Sequence, residues 1–85
     1  MSYDARARTI FTLGRLYSRF GIEEQSQPFI DLRLTHQQIA DMIGTLRENA
    51  TLVLKDLQEQ KIIDIQSKRI IVLDPKYLLS YIQAD

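Results

Sequence analysis

Residues 35 to 57 of this chain, Thr-His-Gln-Gln-Ile-Ala-Asp-Met-Ile-Gly-Thr-Leu-Arg-Glu-Asn-Ala-Thr-Leu-Val-Leu-Lys-Asp-Leu, set a single glycine between two stretches of helical apolar periodicity. Two helices that cross steeply through a short turn need a small residue where they touch and a residue tolerant of positive φ at the corner. Ala40 and Gly44 supply both, four positions apart. Thr35 is placed to cap the first helix, and Gln38 three residues on completes a capping-box pattern. The second helix is expected over about Leu46 to Gln60, with Ala50, Val53, Leu54 and Leu57 on its inward face. Ile39 and Ile43 supply the matching contacts from the first helix. By itself an Ala-x-x-x-Gly spacing also occurs in ordinary helix packing and capping, so the flanking segments carry weight.

Upstream, Ala7, Ile10, Leu13, Gly14, Tyr17 and Phe20 recur at helical spacing and form one apolar stripe, with Gly21 expected to end that helix. Ile22 to Pro28 is polar and reads as a loop, and Phe29 to Leu34 alternates with the period of a half-buried strand. Downstream, the β-branched runs Ile62 to Ile65 and Arg69 to Leu73 flank Gln66-Ser67-Lys68, which predicts a hairpin with a polar, basic tip. Asp74-Pro75 then reads as a cap followed by proline in a first helical turn, opening a short closing helix on Leu78, Leu79 and Ile82.

The expected architecture is mainly α with a small β wing (α+β): a winged helix-turn-helix with a three-helix core, short antiparallel strands and a short C-terminal helix. It is expected to form one domain over residues 1–85, with the helix-turn-helix at 35–60 and the wing at 62–73. At 85 residues there is room for one modest core.

Equal numbers of basic and acidic residues, 11 of each, exclude a uniformly positive surface, so any contact with a polyanion must come from local placement. Arg6, Arg8, Arg15 and Arg19 face only Asp4 in the first 20 residues, which puts a basic excess on the first helix. With no cysteine, thiolate chemistry and cysteine-ligated metal sites are excluded. One histidine and no glycine-rich phosphate loop leave the chain poorly equipped for catalysis, and no metal or cofactor is expected within it. No apolar run approaches the ~20 residues of a membrane span, and the N-terminus lacks the apolar core of a signal peptide. The expected home is the cytoplasm, in association with the nucleoid.

Taken together, Asp-x-x-x-Arg in the opening helix, Ile-Asp-Leu-Arg-Leu-Thr-His-Gln-Gln-Ile-Ala, Ile-Gly-Thr-Leu-Arg-Glu, and Leu-Gln-Glu-Gln-Lys-Ile-Ile before the wing resemble the C-terminal DNA-binding domain of the cyclic-AMP receptor protein and fumarate–nitrate regulator family, including its cyanobacterial nitrogen-control branch. The resemblance spans nearly the whole chain. It implies sequence-specific binding of double-stranded DNA as the output domain of a transcription regulator, acting on a palindromic operator as a homodimer in the full-length protein, with RNA polymerase as a further partner. An N-terminal effector domain of the parent protein is implied and is not expected within these residues, and any effector would bind there.

Residue by residue, the resemblance implies base contacts from Arg47, Glu48, Thr51 and Leu52, and phosphate contacts from Thr35, His36, Gln37, Thr45, Asn49, Lys55 and Lys68. Arginine can donate two bonds to guanine, and glutamate can accept from the cytosine amino group. The plainer reading of Arg47 and Glu48 is a solvated charged face, and His36 is as well read as a surface residue. The chain departs from the family at Leu52, where many members carry a second base-reading arginine. Three readings stay open there: contact with a thymine methyl, burial against a neighbouring element, or weakened DNA binding. An altered or narrowed base preference is the expectation. The rival function is a winged helix used for protein contact, because a fold does not dictate its ligand and the third helix sets Arg47 and Lys55 against Glu48 and Asp56.

Overall fold

The computed structural model describes residues 4–23 and 27–83, so the middle of the expected loop at 22–28 lies outside the described residues. The elements run α1 (Ala5–Phe20), β1 (Gly21–Ile22), β2 (Phe29–Arg33), α2 (His36–Ile43), α3 (Arg47–Glu59), β3 (Ile63–Gln66), β4 (Arg69–Val72) and α4 (Pro75–Gln83). This is the winged helix-turn-helix architecture. The strands form a single antiparallel sheet in the order β1-β2-β4-β3.

Asp4 caps α1 by accepting from the Ala7 amide at 2.8 Å. Ile10, Leu13, Gly14 and Tyr17 are buried as their spacing requires, whereas Phe20 lies 40% exposed, outside the expected stripe. Thr9 takes a buried place instead, its hydroxyl returned to the Ala5 carbonyl at 2.6 Å. Gly14 is a packing glycine: a Cβ there would stand 2.8 Å from the Leu78 carbonyl, so its absence lets α1 and α4 touch. Gly21 does not end the helix in a left-handed turn. Its φ is −71° and it opens β1, pairing with Ile30, where a side chain would collide with the Tyr17 carbonyl and ring.

Thr35 closes the expected capping box, accepting from the Gln38 amide at 3.0 Å while Gln38 Oε1 accepts from the Thr35 amide at 2.8 Å. Gly44 takes φ +78°, and the Ala40 carbonyl accepts from both Gly44 and Thr45. The end of α3 is a Schellman motif built without glycine: Lys61 adopts φ 61°, its amide donates to the Gln58 carbonyl, and the Ile62 amide donates to the Leu57 carbonyl. The hairpin turn is tighter than expected. Gln66 belongs to β3 and pairs with Arg69, leaving Ser67 and Lys68, both at positive φ, as a two-residue turn. Asp74 caps α4 through the Tyr77 amide.

The core joins all layers: Ile10 and Leu13 of α1, Ile30 of β2, Ile39 of α2, Leu54 and Leu57 of α3, Ile63, Ile70 and Val72 of the hairpin, and Leu78 of α4. Val53 packs against it half-buried. One polar network ties the periphery. Arg6 donates to Asp56 at 2.9 Å, to the Tyr77 hydroxyl at 3.1 Å and to Gln60 at 3.0 Å, linking α1, α3 and α4. The Asp56 carboxylate foremost, then the Tyr77 hydroxyl, push the Arg6 guanidinium up from its ordinary value.

Candidate nucleic-acid interface

Burial of Ala50, Leu54 and Leu57 fixes the rotation of α3 and therefore which side chains it shows to solvent. Glu48, Leu52, Lys55 and Glu59 form the outermost stripe, with Arg47 and Thr51 beside it. Leu52 is 65% exposed, which removes the reading that buried it against a neighbour. Arg47, Glu48, Thr51 and Leu52 line one shallow depression, so the four expected base readers share one face.

A second groove adjoins the first. It is lined by Leu34, Thr35, His36 and Gln37 at the start of α2, by Arg47 of α3, and by Ile65, Lys68 and Ile70 of the hairpin. Arg47 belongs to both concavities, so the head of α3 stands between α2 and the wing. The remaining residues expected at phosphates distribute unevenly. Thr45 and Asn49 hydrogen-bond each other at 3.2 Å over the first turn of α3, and Lys55 lies exposed farther along that helix. Gln37 is held by Asp41, its amide donating at 2.9 Å. His36 Nδ1 stands 2.8 Å from Thr51 Oγ1, joining a residue expected at a phosphate to one expected at a base.

Two residues that the sequence reading left out shape the wing. Arg33 donates to the Ser67 carbonyl at 2.9 Å, and the Leu34 amide donates to the Lys68 carbonyl at 3.0 Å, so the wing turn is tied to the chain just before α2. Arg69 stacks on Phe29, its guanidinium carbon 4.7 Å from the ring centroid, and stands opposite Arg33 across the β2–β4 ladder. Alternation of these arginines with apolar neighbours was visible in the sequence, but it marked only outward-facing strand positions. Asp56 also needs a different account. It was weighed against Arg47 and Lys55, yet its carboxylate is taken by Arg6 and Gln60. The leucine at the N-cap of α3, Leu46, makes no side-chain capping bond and is 66% exposed.

The family model for the Crp-like helix-turn-helix domain matches residues 7–81. The chain belongs to the Crp-like helix-turn-helix family. Among curated family members it is similar to the global nitrogen regulator of Synechococcus elongatus, with 43% identity over 72 residues, covering 85% of this chain and 32% of that protein. The global nitrogen regulator of Nostoc sp. is 40% identical over 72 residues, with the same coverage of each chain. The chain thus spans about a third of the length of these Crp-like relatives. The fold is shared with the solved structure of reduced CprK, at a TM-score of 0.82 and 21% identity over 95% of this chain and 39% of that one. The CO-dependent transcription factor CooA from Carboxydothermus hydrogenoformans gives 0.82 and 24% over 92% of this chain and 36% of that one. The curated relatives are named as regulators, and the family model is that of a helix-turn-helix domain.

Proposed function

We propose that this Crp-like domain reads double-stranded DNA sequence-specifically, with α3 in the major groove and the wing on the backbone, as the output domain of a cytoplasmic, nucleoid-associated transcription regulator. The observation that carries the reading is the shared position of Arg47, which lines one depression with Glu48, Thr51 and Leu52 and the adjoining groove with Thr35, His36, Gln37 and Lys68. A helix laid in the groove through Arg47 would bring the start of α2 and the wing turn toward the flanking phosphates. Arg47 and Glu48 take the roles of guanine and cytosine readers, and Thr51 and Leu52 face the neighbouring base pairs. Thr35, His36, Gln37, Thr45, Asn49, Lys55 and Lys68 set register on the backbone.

The full-length regulator is proposed to be a homodimer on a palindromic operator, because one domain covers one half-site and symmetric half-sites lie about 34–36 Å apart. Its effector would bind outside these residues, and RNA polymerase is the proposed downstream partner. Exposed Leu46 and Leu52 favour a second reading, a protein-contact module.

Anisotropy titration against a randomised duplex pool, with sequencing of the bound fraction, separates the two. DNA reading requires an enriched half-site and a log–log salt slope of roughly −2, about one counterion for each phosphate-facing cation, Lys55 and Lys68. A bound fraction with no enriched motif would sink it in favour of protein contact.

A further inference from the structure

We propose that His36 and Thr51 form one base-reading unit whose hydrogen-bond polarity is set by the imidazole proton, an inference that rests on the major-groove reading above. The Nδ1 to Oγ1 distance of 2.8 Å joins the first residue of α2 to the second turn of α3, across 15 positions of sequence. Both residues are half-buried, so the pair is held yet still reachable. Thr51 shares its depression with Arg47, Glu48 and Leu52, while His36 opens on the groove between α2 and the wing.

A threonine hydroxyl carries one hydrogen and two lone pairs, and the bond to His36 decides which of them remains for DNA. Among the described residues Nε2 of His36 has no partner within the chain, so it is the nitrogen left for a backbone phosphate. A phosphate oxygen there requires a hydrogen on Nε2. In the neutral ring Nδ1 is then bare, and Thr51 must donate to it. The hydroxyl turns its lone pairs outward and accepts from an adenine N6 or cytosine N4 amino group. Once the ring takes up a proton from solvent, Nδ1–H donates to Oγ1 and the hydroxyl hydrogen is released outward. It then suits guanine N7 or O6, thymine O4 or adenine N7, and no longer singles out the bases that carry an amino group.

Imidazole is the side chain whose ordinary charge change falls between pH 5 and 8. The charged groups that share these depressions with the pair are Arg47 and Glu48 of α3 and Lys68 of the wing. The pair therefore couples a backbone contact to the identity of one base.

The test repeats the duplex selection at about pH 5.5 and about pH 8, both above the ordinary carboxylate range, with the wild type, His36→Gln and Thr51→Val. In the wild type one column of the motif is expected to move from C at the higher pH toward G or T at the lower, their ratio changing about tenfold, while A, which offers both N7 and an amino group, is accepted at both. The columns read by Arg47 and Glu48 should hold. His36→Gln should keep the motif with that column insensitive to pH, and Thr51→Val should lose preference there at both values. A wild-type motif identical at the two pH values, or a shift that persists in His36→Gln, overturns the proton-set polarity while leaving the major-groove reading intact. Absence of any motif overturns both. Long-range 1H–15N spectra of the imidazole in the DNA complex give an independent check: a neutral ring protonated at Nδ1 would refute the proposed polarity.

Discussion

Leu52 sits at the centre of the exposed stripe of α3, where a side chain meets base edges in the proposed complex and a leucine can offer only an apolar surface. Such a surface suits a thymine methyl and leaves guanine without a donor, so base preference is expected to narrow rather than binding to vanish. Leu52→Arg is expected to tighten binding by about 1–3 kcal/mol and to move the preferred half-site toward guanine. An unchanged affinity and an unchanged selected motif would refute that role. The helical wheel was enough to place Leu52 off the apolar face. The hydrogen bond between His36 and Thr51 was not visible, because it depends on how α2 crosses α3.

At the scale of elements, two helix ends use the same left-handed backbone conformation with different residues. Gly44 needs no glycine for space, since a Cβ there would meet nothing within 4 Å; its φ of +78° alone demands it. Gly44→Ala should therefore cost about 1–2 kcal/mol, with Gly44→Asn milder, in urea melts. Lys61 pays the corresponding strain in place at φ 61°. Lys61→Gly is expected to raise stability by roughly 0.5–1 kcal/mol, and a fall in the urea midpoint would contradict the strain argument. The first end was legible because glycine announces it, and the second was not because lysine does not. The wing turn follows the same rule: Ser67-Lys68 lacks the Asn-Gly signal, so the sequence suggested a three-residue tip. The pairing of β1 with β2 was also missed, since two residues carry no period.

Across the whole molecule, α1 is bound to the rest by the Gly14 contact with α4, by the Arg6 network, and by Tyr17. The Tyr17 hydroxyl donates to Glu23 at 2.8 Å, and burial foremost, with that bond second, pushes its phenol up to about 12. An unfolded chain releases this proton near pH 10, so between about pH 10 and pH 12 the unfolded state binds fewer protons than the folded one. The stability contributed by Tyr17 is therefore complete below that window and lost on rising through it. Urea midpoints for the wild type minus Tyr17→Phe should shrink steadily over this range, and a difference independent of pH would contradict the assignment.

Periodicity, one glycine and two caps were sufficient to specify the helices, the hairpin and the inward faces, because those depend on interactions within a few residues of one another. The exposure of Arg47, Glu48 and Leu52, the proposed base readers, followed from the same rotation of α3. Tertiary structure alone decided which of the outward side chains share a surface. Arg47 stands between two grooves because the wing folds back beside α2, held by Arg33 and Leu34, and Asp56 is withdrawn from the charge balance because Arg6 reaches it across 50 residues. Contacts of that separation are set by how the layers close on a common core, and no local pattern encodes them.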